Sequence, residues 1–180
     1  MTTQSSRPIL SFLWRHNEIT PTVVEVARQT STGAIFDVST HTDESTAEAL
    51  RASGATEIRI SAEYVMSSSL DGFLKGSDVN TLWIDYHPAL VTGTPEAFLE
   101  RLNALSTRFT CIPISGDLTL LTLILQMAQP PHAMALKGAE TAGFVSNETT
   151  GILYATLREI ASQREQCPEM IIWGGVATPE

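Results

Sequence analysis

Cysteine, histidine and cationic side chains are scarce in this chain, and each scarcity removes a class of function. Two cysteines, Cys111 and Cys167, stand far apart with no companion at metal-ligand spacing. That argues against a zinc site or a disulfide framework and for ordinary reduced thiols. Four histidines, His16, His41, His87 and His132, lie in separate segments and form no HxxxH or HExxH pair, so no metal site is expected. Eleven Lys and Arg against twenty Asp and Glu leave a net charge of −9 with no basic patch. A nucleic-acid backbone or an anionic membrane surface therefore finds no electrostatic footprint. No apolar run reaches membrane-spanning length, and the opening MTTQSSRPILSFLWRH lacks the charged start, long apolar stretch and small-residue cleavage site of a secretory signal. A cytoplasmic protein is expected.

The chain is rich in material for a core. Apolar residues make up 43% and charged residues 17% of its 180 positions, which excludes intrinsic disorder and fits one domain over residues 1–180. Short β-type runs alternate with segments of helical period, the pattern of βα units around a parallel sheet. Seven runs stand out: Pro8 to Trp14, Ala34 to Val38, Glu57 to Ile60, Thr81 to Tyr86, Thr110 to Ile114, Ala133 to Leu136 and Met170 to Trp173. Most are continuously apolar until their downstream end, as in strands covered on both faces or lining a packed barrel.

Helix starts are marked by Thr20-Pro21 and Thr94-Pro95, where a capping hydroxyl precedes a proline that loses nothing at the first helical position. Val23, Val24 and Ala27, then Phe98, Leu99, Leu102 and Leu105, and later Ile152, Leu153, Leu157 and Ile160, form apolar stripes expected in the core. The same signal returns at Thr178-Pro179-Glu180, after the seventh run and Gly174-Gly175. A closed (β/α)8 barrel has eight strands and typically about 250 residues. The expectation is an α/β fold of the TIM-barrel type that is incomplete, with about seven strands and its last βα unit missing. An open α/β sheet is the alternative.

Chemistry in βα folds gathers where strands finish. The candidates there are Arg15 and His16, Asp37 and Ser39, Ser61 and Glu63, Asp85 and His87, Ser115 and Asp117, Lys137 and Glu140. Turn and capping needs also put Ser, Asp and Gly at such positions. Two stretches rise above this background. Lys137-Gly138-Ala139-Glu140-Thr141-Ala142-Gly143-Phe144 follows the apolar AMAL and could bring backbone amides to a flat ligand, with Lys137 as a cation at its mouth; the plainer reading is turn glycines and a solvated lysine. Gly174-Gly175 follows the seventh run and permits close approach to a phosphate, although a strand-end turn uses the same residues. Trp83 and Trp173 lie within runs and are expected in core or pocket wall.

Read together, KGAETAGF and WGGV resemble the glycine-rich loop and paired glycines of FMN-dependent nitronate monooxygenase and enoyl-reductase-like TIM barrels, written there as QGxEAGGH and AGGI. One helix, from Thr149 to Gln163, fills the interval as in that family. The wording ALKGAETAGFVSNETT and IIWGGVATPE is most similar to the variant at the N-terminal end of polyketide synthase-type megasynthases. The resemblance implies a flavin oxidoreductase with Lys137, Gly138, Glu140 and Gly143 near the isoalloxazine and Gly174 and Gly175 near the FMN phosphate. It also implies a small-molecule or acyl-carrier-bound substrate and association with downstream synthase domains or through unpaired barrel edges. Where that family carries its histidine base, this chain has Phe144, which cannot accept a proton, so simple nitronate oxidation is not expected. His87, after the fourth run, is the substitute base. FMN binding by the chain alone is expected to be weak or absent.

Two other readings compete. Lys137, at the end of the sixth run, is placed for Schiff-base chemistry of the class I aldolase kind, with Glu140 or Asp117 as acid-base partner. A non-catalytic, barrel-derived scaffold is the other.

Overall fold

The computed structural model describes residues 11–30, 32–67, 69–139 and 148–173. Seven strands, β1 Ser11–Arg15, β2 Gly33–Asp37, β3 Glu57–Ser61, β4 Thr81–Asp85, β5 Thr110–Ser115, β6 Ala133–Leu136 and β7 Glu169–Ile172, pair side by side in chain order. Every pairing is parallel. The resulting sheet curls as a half-barrel, and among the described residues β1 and β7 do not pair. Sequential order without reversal lacks the switch point of a doubly wound sheet.

Seven helices connect the strands: α1 Pro21–Gln29, α2 Glu44–Ser53, α3 Ala62–Met66, α4 Leu70–Leu74, α5 Pro95–Ser106, α6 Leu118–Gln126 and α7 Thr150–Ala161. Their starts follow local chemistry. Thr20, Thr94 and Thr149 each accept a hydrogen bond from a backbone N–H three residues on, at 3.3 Å, and Pro21 and Pro95 open their helices. Asp43, Ser61 and Asp117 cap α2, α3 and α6 in the same way. Helix α2 stops at Gly54, whose φ of +72° is a conformation glycine adopts without a Cβ penalty.

Strand bounds differ from expectation by a residue or two. β1 runs on to Arg15, with residues 8–10 outside the described set, β2 ends at Asp37, and β7 ends at Ile172. Helix α7 ends at Ala161 rather than Gln163. The apolar stripes face the core, where Ala27, Phe98, Leu99, Leu102, Leu105, Leu153 and Leu157 are buried and Val23, Val24 and Ile160 are half-buried, with one correction: Ile152 is 51% exposed. Leu153 and Leu157, four residues apart, define the inward face of α7, and Ile152 is turned away from it by the helical step.

Period-two alternation gives the sheet two different faces. Phe36, Ile58, Ile60, Leu82, Ile84, Met134 and Leu136 pack with the helices in one continuous core. Ile35, Trp83, Ile112, Ile114, Ala133 and Ala135 form a separate cluster contributed by strands alone, with Ile171 and Trp173 against it. Helices thus cover one face, and the other is the concave inner face of the half-barrel. Among the described residues, no helix is long and apolar enough to cross a membrane.

Candidate active site on the inner face

The segment Glu57-Ile58-Arg59-Ile60-Ser61 alternates strictly, so burying Ile58 and Ile60 under the helices turns Glu57, Arg59 and Ser61 to the inner face. Arg59 then meets two carboxylates at neighbouring strand ends. Its Nη1 lies 2.7 Å from Asp37 Oδ2 on β2, and its Nη2 bonds Asp85 Oδ2 on β4. Lys137, directly after β6, sends its Nζ to the same Asp85 oxygen at 3.0 Å. Lys137 is 2% exposed, so its ammonium sits in a largely water-free setting. The alternative of a solvated lysine is thereby corrected.

Two cations and two carboxylates make the cluster formally neutral. Neutrality is the condition for burying such groups, because each isolated ion would cost several kcal/mol to desolvate. Arg59 and Asp85 keep 15% of their side-chain surface exposed and Asp37 keeps 26%, so the cluster opens to water on its Asp37 side. Beneath it lies an aromatic floor. Trp83 and Trp173 pack at 5.3 Å between ring centroids, Trp83 Nε1 donates to Glu57 Oε2 at 2.9 Å, and the Arg59 guanidinium lies 5.8 Å from the Trp173 ring. Trp83, within β4, is buried, and Trp173, one residue beyond the end of β7, packs against it.

Other candidate positions serve local structure. Ser61 and Asp117 are helix caps, Ser39 donates to Asp37 Oδ1, and Ser115 joins Tyr86 to the start of the α6 turn. Glu63 is exposed in the first turn of α3. His87 lies two residues beyond Asp85, and its Nδ1 accepts from Ala89 N at 3.2 Å. The backbone N–H of Gly138 donates to Thr150 Oγ1 at 3.0 Å and that of Ala139 to the Glu148 carbonyl at 2.8 Å. These bonds tie the start of the glycine-rich loop to the start of α7. Glu140, Gly143, Phe144, Gly174 and Gly175 lie outside the described residues. So does Thr178-Pro179.

Two features were not expected. The His16 and His41 rings stack at 3.4 Å, joining the segments after β1 and β2. A groove of about 760 Å³ lies at the opposite, N-terminal ends of β5 and β6, between Phe109, Cys111, Met127 and Pro131. Its sulfur is inert, because burial pushes the Cys111 thiol up to about 11.

Arg59 is the functional side chain that the pattern of apolar runs missed. An arginine between two isoleucines reads as a strand interior, yet the alternation EIRIS carries the signal: the polar side of β3 must face something other than the helices. For FMN, the inner face offers two tryptophan rings tilted 43° to each other, with Lys137 on the same face. Its two cations are already neutralised by Asp37 and Asp85, so the described residues supply no phosphate site. The cluster brings an ammonium donor and a carboxylate acceptor together at 3.0 Å in a setting that admits little water. No family model, curated protein or solved structure matches this chain.

Proposed function

We propose that the chain is an FMN-binding oxidoreductase-like domain built on seven units of a (β/α)8 barrel, related to the nitronate monooxygenases and working within a polyketide or fatty-acid-type megasynthase. The observation that carries this reading is the register of β6 and β7. These strands are parallel neighbours with Leu136 opposite Ile172, so Lys137 and Trp173, the residues that begin KGAETAGF and WGGV, follow them at the same end of the sheet. A flavin ring lying over the Trp83 and Trp173 floor would sit beside Lys137, with Gly138, Glu140 and Gly143 along its edge and Gly174 and Gly175 at its phosphate.

Bound FMN supplies hydride or electron transfer. The chain's own part is to orient the ring, exclude water and hold a proton on Lys137 and Asp85, with His87 at the mouth once its bond to Ala89 is released. The substrate is a small molecule or an acyl group on a carrier. Edges of β1 and β7 join downstream synthase domains.

The test is a titration of FMN, followed by quenching of flavin fluorescence, into this chain and into a longer polypeptide supplying an eighth βα unit. Saturable binding in the longer chain, weakened about tenfold by Lys137→Met, is expected, tenfold being about 1.4 kcal/mol of lost interaction. A folded longer chain that leaves flavin fluorescence unchanged would overturn the assignment and favour a scaffold.

A further inference from the structure

We infer that Lys137 and Asp85 form a carbonyl-capturing pair, in which Lys137 condenses with a small apolar aldehyde and Asp85 carries the proton. The chain contains two lysines in all, Lys75 and Lys137. Lys75 is exposed, whereas Lys137 is 2% exposed. An ammonium has three N–H donors. Among the described residues Lys137 Nζ has one acceptor, Asp85 Oδ2 at 3.0 Å. Capture of a carbonyl compound requires one proton to pass from Lys137 to Asp85 across this 3.0 Å contact, leaving an amine beside a neutral acid. Arg59 then stays paired with Asp37 at 2.7 Å, so the cluster stays neutral. Asp85 is the acid-base partner that this lysine chemistry requires, in place of Glu140 or Asp117.

The step balances without an oxidant. Lys137 loses one proton to the Asp85 carboxylate, and its lone pair attacks the carbonyl carbon. The C–N bond forms as the π pair moves to oxygen, and a proton passes from nitrogen to oxygen to give the carbinolamine. Asp85 returns its proton to the hydroxyl, which leaves as water while the nitrogen lone pair closes the C=N bond. The products are an iminium ion on Lys137, a carboxylate on Asp85 and one water.

The surroundings set the class of carbonyl compound. Trp83, Trp173, Ile114 and Ala135 give the inner face an apolar floor. Both terminal guanidinium nitrogens of Arg59 are engaged by Asp37 and Asp85, so among the described residues its charge is already matched by carboxylates. The aldehyde is therefore uncharged. No flavin is needed for this chemistry, so it stands or falls apart from the flavin proposal.

The experiment treats the intact 180-residue chain, free of flavin, with butanal and borohydride, and maps the reduced adducts at Lys75 and Lys137 by peptide mass. Expected are saturable trapping at Lys137 exceeding that at Lys75 by about tenfold, equal trapping of both in concentrated urea, and weaker trapping of glyoxylate than of butanal at Lys137. Asp85→Asn is expected to cut Lys137 trapping at least about tenfold, about 1.4 kcal/mol, with Lys75 unchanged. Trapping at Lys75 with Lys137 untouched in the native chain would overturn the proposal, and that readout needs no variant to fold. Preferential capture of glyoxylate would overturn the uncharged-aldehyde assignment, and undiminished trapping in a folded Asp85→Asn chain would remove Asp85 from the reaction.

Discussion

Lys137 at the end of β6 reaches Asp85 at the end of β4, crossing the intervening strand β5 to bring its Nζ within 3.0 Å of Oδ2. The contact joins residues 52 positions apart. It couples the ends of β4 and β6 through side chains, where the backbone ladder joins them only by way of β5. Because Asp85 also accepts from Arg59, it is the hinge of the cluster, and removing it leaves two cations with one carboxylate.

Asp85→Ala is accordingly expected to cost about 3 kcal/mol, the lower end for breaking a buried ion pair. Lys137→Met fills the stem's volume but leaves Arg59 with two carboxylates, and because Asp85 keeps Arg59 as a partner its cost is expected to stay below that of Asp85→Ala. Urea unfolding followed by tryptophan fluorescence measures both. A larger loss for Lys137→Met than for Asp85→Ala would contradict the central place of Asp85.

Helix α7 offers a sharp contrast between neighbouring positions. Leu153 is 1% exposed and Ile152 51% exposed. Leu153→Ala is expected to destabilise by about 2–5 kcal/mol and Ile152→Ala by less than about 0.5 kcal/mol. Equal losses in urea melts would mean that the helix presents another face to the sheet.

Cys111 and Cys167 are expected to differ in reactivity. Burial raises the Cys111 thiol from 9.0 to about 11, while Cys167 is exposed. At pH 8, iodoacetamide should modify Cys167 and spare Cys111 until denaturant is added. The shift also gives stability a direction: the neutral buried thiol favours the folded state fully below about pH 9, and that contribution is lost as pH rises through 11. Alkaline unfolding titrations of wild type and Cys111→Ala should therefore converge over that interval; parallel curves would count against the burial argument.

The edge strands carry the third kind of prediction. Leu13 on β1 and Ile172 on β7 are 47% and 48% exposed, on strands that do not pair with each other among the described residues. Apolar residues on unpaired edges favour association with another strand. Ile172→Lys is expected to lower concentration-dependent association in sedimentation velocity. A wild-type chain that stays monomeric across the accessible range would remove the premise.

Much of the architecture is legible in local chemistry. Thr20-Pro21, Thr94-Pro95 and Thr149 announce helices because capping needs a neighbouring hydroxyl or carboxylate and nothing distant. The apolar runs at Thr81, Thr110 and Ala133 announce strands covered on both faces or lining a barrel, and the structure packs helices on one face and a strand-only cluster on the other. The candidate site was legible in pieces: Asp37, Asp85 and Lys137 each stand where a run ends. Their union was not, because hydrogen bonds between residues 22 to 52 positions apart depend on register. Arg59 was missed because its neighbours Ile58 and Ile60 mark only a strand, and the identity of what faces its polar side is a property of the curled sheet.

Composition, caps and hydrophobic period by themselves determined an α/β chain of alternating strands and helices with two reduced cysteines. Only the tertiary structure decided that the strands lie in chain order with helices on one face, which makes the other face concave. It also decided that four charges from β2, β3, β4 and the end of β6 neutralise one another there. The physical reason is range: turns and caps are settled within a few residues, whereas burying Lys137 requires Asp85, and Asp85 arrives only when β4, β5 and β6 align.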